Sequence, residues 1–190
     1  MRKIISILLI VVGLIMFINP IYNLVSKKLE QNTALVKAQS LVNEDKINRE
    51  KAKDFKAESG QAFGVLYIPK FKKEIPIIEG VTANDLDKGI GHINYSKYPL
   101  QSDQIYLAIH REKIFREIQD LKPGDELYVE MPYGKVKYII SHTKIVKPED
   151  TQVIKSTYPQ EELVIQTCYP FNYIGNAPER YLVYAYPSIK

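Results

Sequence analysis

The chain has 190 residues, 45% hydrophobic and 25% charged, with a net charge of +4, proportions that suit a globular domain with an added segment rather than a disordered chain. Charge this small and this scattered builds no basic face for nucleic acid. One cysteine excludes an internal disulfide, and the three histidines, spread from His92 to His142, have no zinc-ligand spacing with it, so no metal or other cofactor is expected.

Arg2 and Lys3 precede a run from Ile4 to Val25 that carries no charge. As a helix this run spans about 33 Å, enough to cross the hydrocarbon core of a bilayer. Residues 1–25 are therefore expected to form an N-terminal signal-anchor, a single transmembrane helix, although Ile4 to Ile18 also has the length of a signal-peptide core. Positive charge ahead of the helix holds that end in the cytoplasm, leaving the remainder outside the cell membrane. Residues 26–59 are dense in Lys, Glu, Asp, Gln and Asn, with only scattered large apolar positions such as Leu29, Leu35 and Val42. That composition predicts a solvated, charged helical stalk or linker.

At Gly60 the pattern changes to short apolar runs separated by Gly, Pro, Asn and Asp, the habit of an all-β domain over 60–190. Strands are predicted near Phe63–Ile68, Ile75–Ile78, Ile105–Ile109, Glu126–Met131, Lys135–His142, Leu163–Thr167 and Tyr181–Tyr186, with Pro132-Tyr133-Gly134 turning a hairpin. Val81–Gly89, Lys113–Asp120 and Glu149–Thr157 read as short helical turns. Many short strands of this kind close into a barrel or stack as a sandwich.

Three chemically distinctive residues fall at the edges of these strands. Cys168 ends the run from Glu162, His110 follows Ile105–Ile109, and Arg180 opens the run to Tyr186. Acyl transfer by a thiol requires a nucleophile, a proton carrier and a cation for the oxyanion. A lone cysteine at a strand end is more often a small buried hydrophobe, and an unperturbed thiol is only about 3% ionised at pH 7, so the cations are needed. Of the other histidines, His92 in Gly-Ile-Gly-His is expected to shape a glycine-rich turn, and His142 to end a strand as a satisfied polar residue. Arg180 taken alone reads equally as a surface charge.

These residues also carry a family resemblance. Leu163-Val-Ile-Gln-Thr-Cys168 resembles the Leu-Thr-Leu-x-Thr-Cys signature of sortases, membrane-anchored cysteine transpeptidases of Gram-positive bacteria. The segment from Cys168 through Tyr-Pro-Phe-Asn-Tyr-Ile-Gly-Asn-Ala-Pro-Glu to Arg180 resembles the corresponding loop of class D sortases. Ile109-His110-Arg111 stands where the family has Gly-His-Arg, followed by Phe115-Arg116; Gly91-His92 matches its upstream Gly-His, and Leu121-Lys-Pro-Gly-Asp125 its Leu-x-x-Gly-Asp turn. The sequence departs at Val164 and Ile165 in the signature, at Ile109 in place of glycine, and at Asn94-Tyr95-Ser96 in place of Pro-Gly-Thr.

The resemblance implies an eight-stranded sortase-type β-barrel with short helices over 60–190. It implies Cys168 as nucleophile, His110 as acid/base, Arg180 as oxyanion stabiliser, and Thr167 as a substrate-binding residue. The implied reaction cleaves an LPxT-type sorting signal after Thr in an exported protein and joins that protein to an amine of a cell-wall precursor. Two alternatives remain open at this point. A pilin-polymerising sortase would carry an N-terminal lid with an Asp-Pro-aromatic motif and a C-terminal membrane helix, and the sequence contains neither pattern. The other is a catalytically inactive, membrane-tethered binding barrel, which a bulky Ile109 crowding the substrate groove would favour.

Overall fold

The computed structural model describes residues 2–42, 47–110, 116–173 and 175–188. Its strands are β1 (Ala62–Ile68), β2 (Lys73–Glu79), β3 (Ile90–His92), β4 (Gln104–Ile109), β5 (Glu126–Met131), β6 (Gly134–Val146), β7 (Glu162–Tyr169) and β8 (Glu179–Pro187). Among the described residues these eight close a barrel in the order β1-β2-β3-β4-β7-β8-β6-β5. Burial alternates with the period of a half-buried strand in β5 and the first half of β6, whereas β1, β4 and β7 are buried on both faces along most of their length. The strand missing from the sequence reading is β3, three residues long and too short to display a period of two. It pairs parallel with β2 and antiparallel with β4.

Parallel neighbours need a crossover. Helix α3 (Ala83–Lys88) supplies the one between β2 and β3, started by a capping box in which Thr82 and Asp85 bond reciprocally to each other's backbone. The β5–β6 hairpin turns through Pro132-Tyr133, with Met131 paired to Gly134. Gly134 has φ +132°, and a Cβ there would meet the Ile47 backbone at 2.8 Å. Both facts require glycine. The expected turns over Glu149–Thr157 and Lys113–Asp120 contain 3-10 turns at Thr151–Val153 and Arg116–Asp120; 113–115 lie outside the described residues.

The barrel interior is filled by a core that includes Leu66, Ile77, Ile105, Leu107, Ile109, Leu163, Ile165 and Val183. A second, smaller core lies outside the barrel, where Ile93, Val146 and Val153 pack with Tyr106, Val164, Leu182 and Tyr184. Consecutive residues of β4, β7 and β8 therefore belong alternately to the two cores.

The charged segment before the barrel is mostly exposed, and a few of its side chains dock on the barrel. Helix α1 (Arg2–Leu41) lays Ala34 and Ala38 against Ala62, Val65 and Ile78. Helix α2 (Arg49–Lys53) buries Ala52, and Ala57 follows it into the main core. Asn48 N–H donates to the Tyr133 carbonyl, and the Gln101 amide donates to the Ala52 and Phe55 carbonyls. The side chains that the segment buries in these contacts are alanines, with Leu35, Val42 and Phe55 partly buried beside them. The membrane span expected at Ile4–Val25 falls on α1, where the side chains of 5–12, 14–17 and 19 lie outside the described ones. Among the described residues no helix is long and apolar enough to cross a membrane.

Candidate active site

The pairing register brings the three candidate residues together from distant parts of the sequence. β4 and β7 run parallel, with Tyr106 opposite Val164, Ala108 opposite Gln166 and Ile109 opposite Thr167. β7 and β8 run antiparallel, with Gln166 opposite Leu182 and Cys168 opposite Arg180. Tyr106, Val164 and Leu182 belong to the outer core. The same alternation places Ala108, Gln166, Cys168 and Arg180 on the outer face and carries His110, one residue past β4, to the level of Cys168. Adjacent strands lie about 4.8 Å apart, so imidazole, thiol and guanidinium form a row across three strand ends. Cys168, His110 and Arg180 are each half-buried, open to a substrate yet partly shielded from water.

Arg180 uses Nη1 to donate to the carbonyls of Ala177, at 3.1 Å, and Glu179, at 2.9 Å. These bonds pin the guanidinium to the loop entering β8. Among the described residues its Nε and Nη2 make no hydrogen bond, so those donors remain for a ligand on the row. The surface-charge reading of Arg180 therefore gives way to a half-buried cation held opposite the thiol.

Thr167 is turned the other way. It is 1% exposed, and its hydroxyl has no hydrogen-bond partner among the described residues. It lies opposite the inward Ile109, on the face away from the outer row. Ile109 is 4% exposed and belongs to the main core. The isoleucine that replaces the family glycine fills the barrel interior and leaves the groove clear, against the expectation that it crowds the substrate.

The other histidines are occupied elsewhere. His92 closes β3 and is 1% exposed, a core residue instead of the turn-former expected from its glycines. Its Nδ1 lies 2.7 Å from the Glu79 carboxylate, and its Nε2 lies 3.0 Å from the Lys97 carbonyl and from the Ser96 hydroxyl. Tyr98 stacks on the ring, donates its O–H to Glu79 and accepts from the Ala57 N–H. A buried acid–imidazole pair with both nitrogens engaged is structural. His142 lies within β6 beside a bulge, not at a strand end, and stacks flat on Tyr184 with ring centroids 4.5 Å apart.

Sequence reasoning missed Gln166 and Tyr106. The Tyr106 phenol donates to the Gln166 Oε1 two residues before the thiol. The signal available was a glutamine inside an otherwise apolar strand. Burial pushes the Tyr106 phenol well above its ordinary value, keeping it a donor. The described residues contain no cluster of His, Cys, Asp and Glu able to hold a metal ion.

Comparison with known proteins points to one family. A family model described as the sortase domain matches residues 66–188. Sortase D of Bacillus subtilis (strain 168) is 49% identical over 130 residues, covering 68% of this chain and 66% of that protein. Sortase SrtE1 of Streptomyces coelicolor is 30% identical over 131 residues, covering 60% of this chain and 37% of that protein. The matched stretch thus spans just under two thirds of the first relative and little more than a third of the second. Among solved structures, a Clostridium perfringens Sortase D5 transpeptidase has the same fold, with a TM-score of 0.72 at 24% identity over 84% of this chain and 98% of that one. A SrtA sortase from Actinomyces oris gives 0.64 at 25% identity over 70% and 83%.

Proposed function

The chain belongs to the sortase family, and from that premise we propose that it is a class D-like cysteine transpeptidase that cleaves an LPxT-type sorting signal and transfers the acyl part to a cell-wall amine. The observation that carries this reading is the row His110–Cys168–Arg180 across the ends of β4, β7 and β8.

The Cys168 thiolate attacks the Thr carbonyl, and the carbonyl electron pair becomes an oxyanion. The open donors of Arg180 stabilise that charge, a contribution of a few kcal/mol for a preorganised donor. Collapse expels the amine of the C-terminal remnant, which takes its proton from His110, and leaves a thioester on Cys168. The incoming amine gives its proton to His110 as it attacks the thioester, and the thiolate is expelled. Water is the competing acceptor, and its attack gives hydrolysis.

Anchoring by 1–25, with 26–59 leading to a catalytic domain over 60–190 outside the cell membrane, is part of the same proposal. It is supported by the uncharged run Ile4–Val25 behind Arg2 and Lys3. The inactive-barrel alternative loses its motive, because Ile109 faces inward. A panel of LPxT-type peptides varied at x and at the residue after Thr, read by mass spectrometry with an amine acceptor present, tests the proposal. A transpeptidation product and a thioester adduct on Cys168 are expected, and their absence across the panel refutes it.

A further inference from the structure

The open part of the outer face is short. Tyr106 and Val164 are sealed beneath the second core, so the face begins at Ala108 and Gln166 and ends at the catalytic row. Ala108 is small and half-buried, which leaves room beside Gln166 for another chain. The orientation of the Gln166 amide is fixed from beneath: the buried Tyr106 O–H finds its acceptor in Oε1 at 2.5 Å, which turns Nε2 and its two N–H donors the other way. Among the described residues Nε2 makes no hydrogen bond. A donor pair is thus held at the closed end of the groove, two residues from the nucleophile.

We infer that Gln166 Nε2 donates a hydrogen bond to the backbone carbonyl of the substrate residue two positions before the attacked carbonyl, which in an LPxT-type signal is the proline. The inference rests on the transpeptidase reading above. Two residues along a strand span about 6.6 Å, and two residues of an extended peptide span the same distance. The leaving amine must reach His110 and solvent at the barrel edge, so the acyl side of the peptide points toward Gln166. Proline has a carbonyl and no N–H. A group that presents donors alone fits a residue that can only accept. Gln166 is therefore a specificity-determining residue that reads the backbone at proline, and Tyr106 is a positioning residue that sets the amide.

The test pairs Gln166→Leu and Gln166→Glu with two peptides: an ordinary LPxT substrate, and one whose Pro–x amide is a thioamide, a weaker acceptor. Gln166→Glu preserves shape and can still accept from Tyr106 while losing both donors, so the test survives if the leucine variant fails to fold. For the full chain in detergent, kcat/KM on the ordinary peptide should fall by about threefold to tenfold in either variant, mainly through KM. The thioamide should cost the wild type a similar factor and cost the variants nothing further. The rate of Cys168 alkylation by iodoacetamide should be unchanged. Unchanged kcat/KM in both variants, or losses that multiply between variant and thioamide, would overturn the role of Gln166 while leaving the transpeptidase reading intact. A wild type that turns over neither peptide overturns both.

Discussion

Phe55 offers a direct measure of how far the barrel domain extends into the charged segment. Its ring is half-buried and contacts Tyr98 and Tyr133 edge-on, with centroids 5.1 and 5.2 Å away, and Phe63 at 5.9 Å. Truncating a fully buried phenylalanine to alanine costs about 3–5 kcal/mol. Half-burial reduces the area part to about 2 kcal/mol, and loss of the aromatic pairings adds about 1 kcal/mol. Phe55→Ala should therefore cost about 3 kcal/mol, a fall in Tm of about 6–12 °C for a chain of this size. A thermal melt of the full chain in detergent micelles, followed by near-ultraviolet circular dichroism, measures it. Since Phe55 touches none of His110, Cys168 and Arg180, iodoacetamide labelling of Cys168 at low temperature should persist. The pattern change at Gly60, taken alone, predicts instead that a chain beginning near residue 55 loses nothing. An unchanged Tm for Phe55→Ala, or equal stability of chains beginning at Asn48 and at Gly60, would refute the packing argument.

Cys168→Ala should show no adduct by intact-mass analysis with substrate and no cleavage, with an unchanged melt; residual turnover would remove the covalent route. His110→Ala should lower kcat by at least about 10²-fold, and His142→Ala should leave it near wild type. His92→Ala should act mainly on Tm, because it strands the buried Glu79. Arg180→Lys should lose most of kcat, because an ammonium cannot present the planar fork of donors, and near wild-type turnover would leave the oxyanion to backbone N–H groups. Asp103 is the pH-sensitive support of the β6–β7 connection: burial acts to raise its carboxyl, but bonds from the Thr157 and Gln104 N–H groups and the Ser156 and Thr157 hydroxyls outweigh it and hold it below the ordinary value. A depressed carboxyl stabilises the fold above its unfolded value and loses that contribution as pH falls through the folded one. The Tm difference between wild type and Asp103→Asn should therefore be full at neutral pH and vanish in acid.

The strands legible in the sequence are those long enough to form an apolar run. β1, β4, β5, β7 and β8 were readable from their apolar runs, whereas β3 has three residues, one of them glycine, and its existence depends on partners supplied by β2 and β4. The β6 strand was cut short in the reading because its outer half, beyond the bulge near His142, carries polar residues exposed on the barrel surface. The docking of α1 and α2 was illegible for a different reason. Alanine is a helix former of little area, and its burial at Ala38 and Ala52 reflects the closeness of the neighbouring backbone, which a composition does not encode. Cys168, His110 and Arg180 could be named because their chemistry is distinctive, while Gln166 gains its meaning only from the phenol that orients it.

The pairing directions explain why these three residues can act together at all. In an all-antiparallel meander the strand ends carrying His110 and Cys168 would alternate between opposite mouths of a barrel. The parallel pairing of β4 with β7 brings both C-terminal ends to one edge, and the antiparallel return of β8 begins at that edge, so Arg180, twelve positions after Cys168, arrives beside the thiol. The alternation that turns those side chains outward turns Ile109, Thr167 and Tyr181 inward, toward the main core. Groove and core are thus built from consecutive residues of the same strands. A change at Ala108, Gln166 or Cys168 alters what the groove presents, and a change at Ile109 or Thr167 alters what the barrel packs. Replacing a family glycine by Ile109 belongs to the second kind: it adds apolar volume to the core opposite Thr167 and leaves the row of His110, Cys168 and Arg180 untouched.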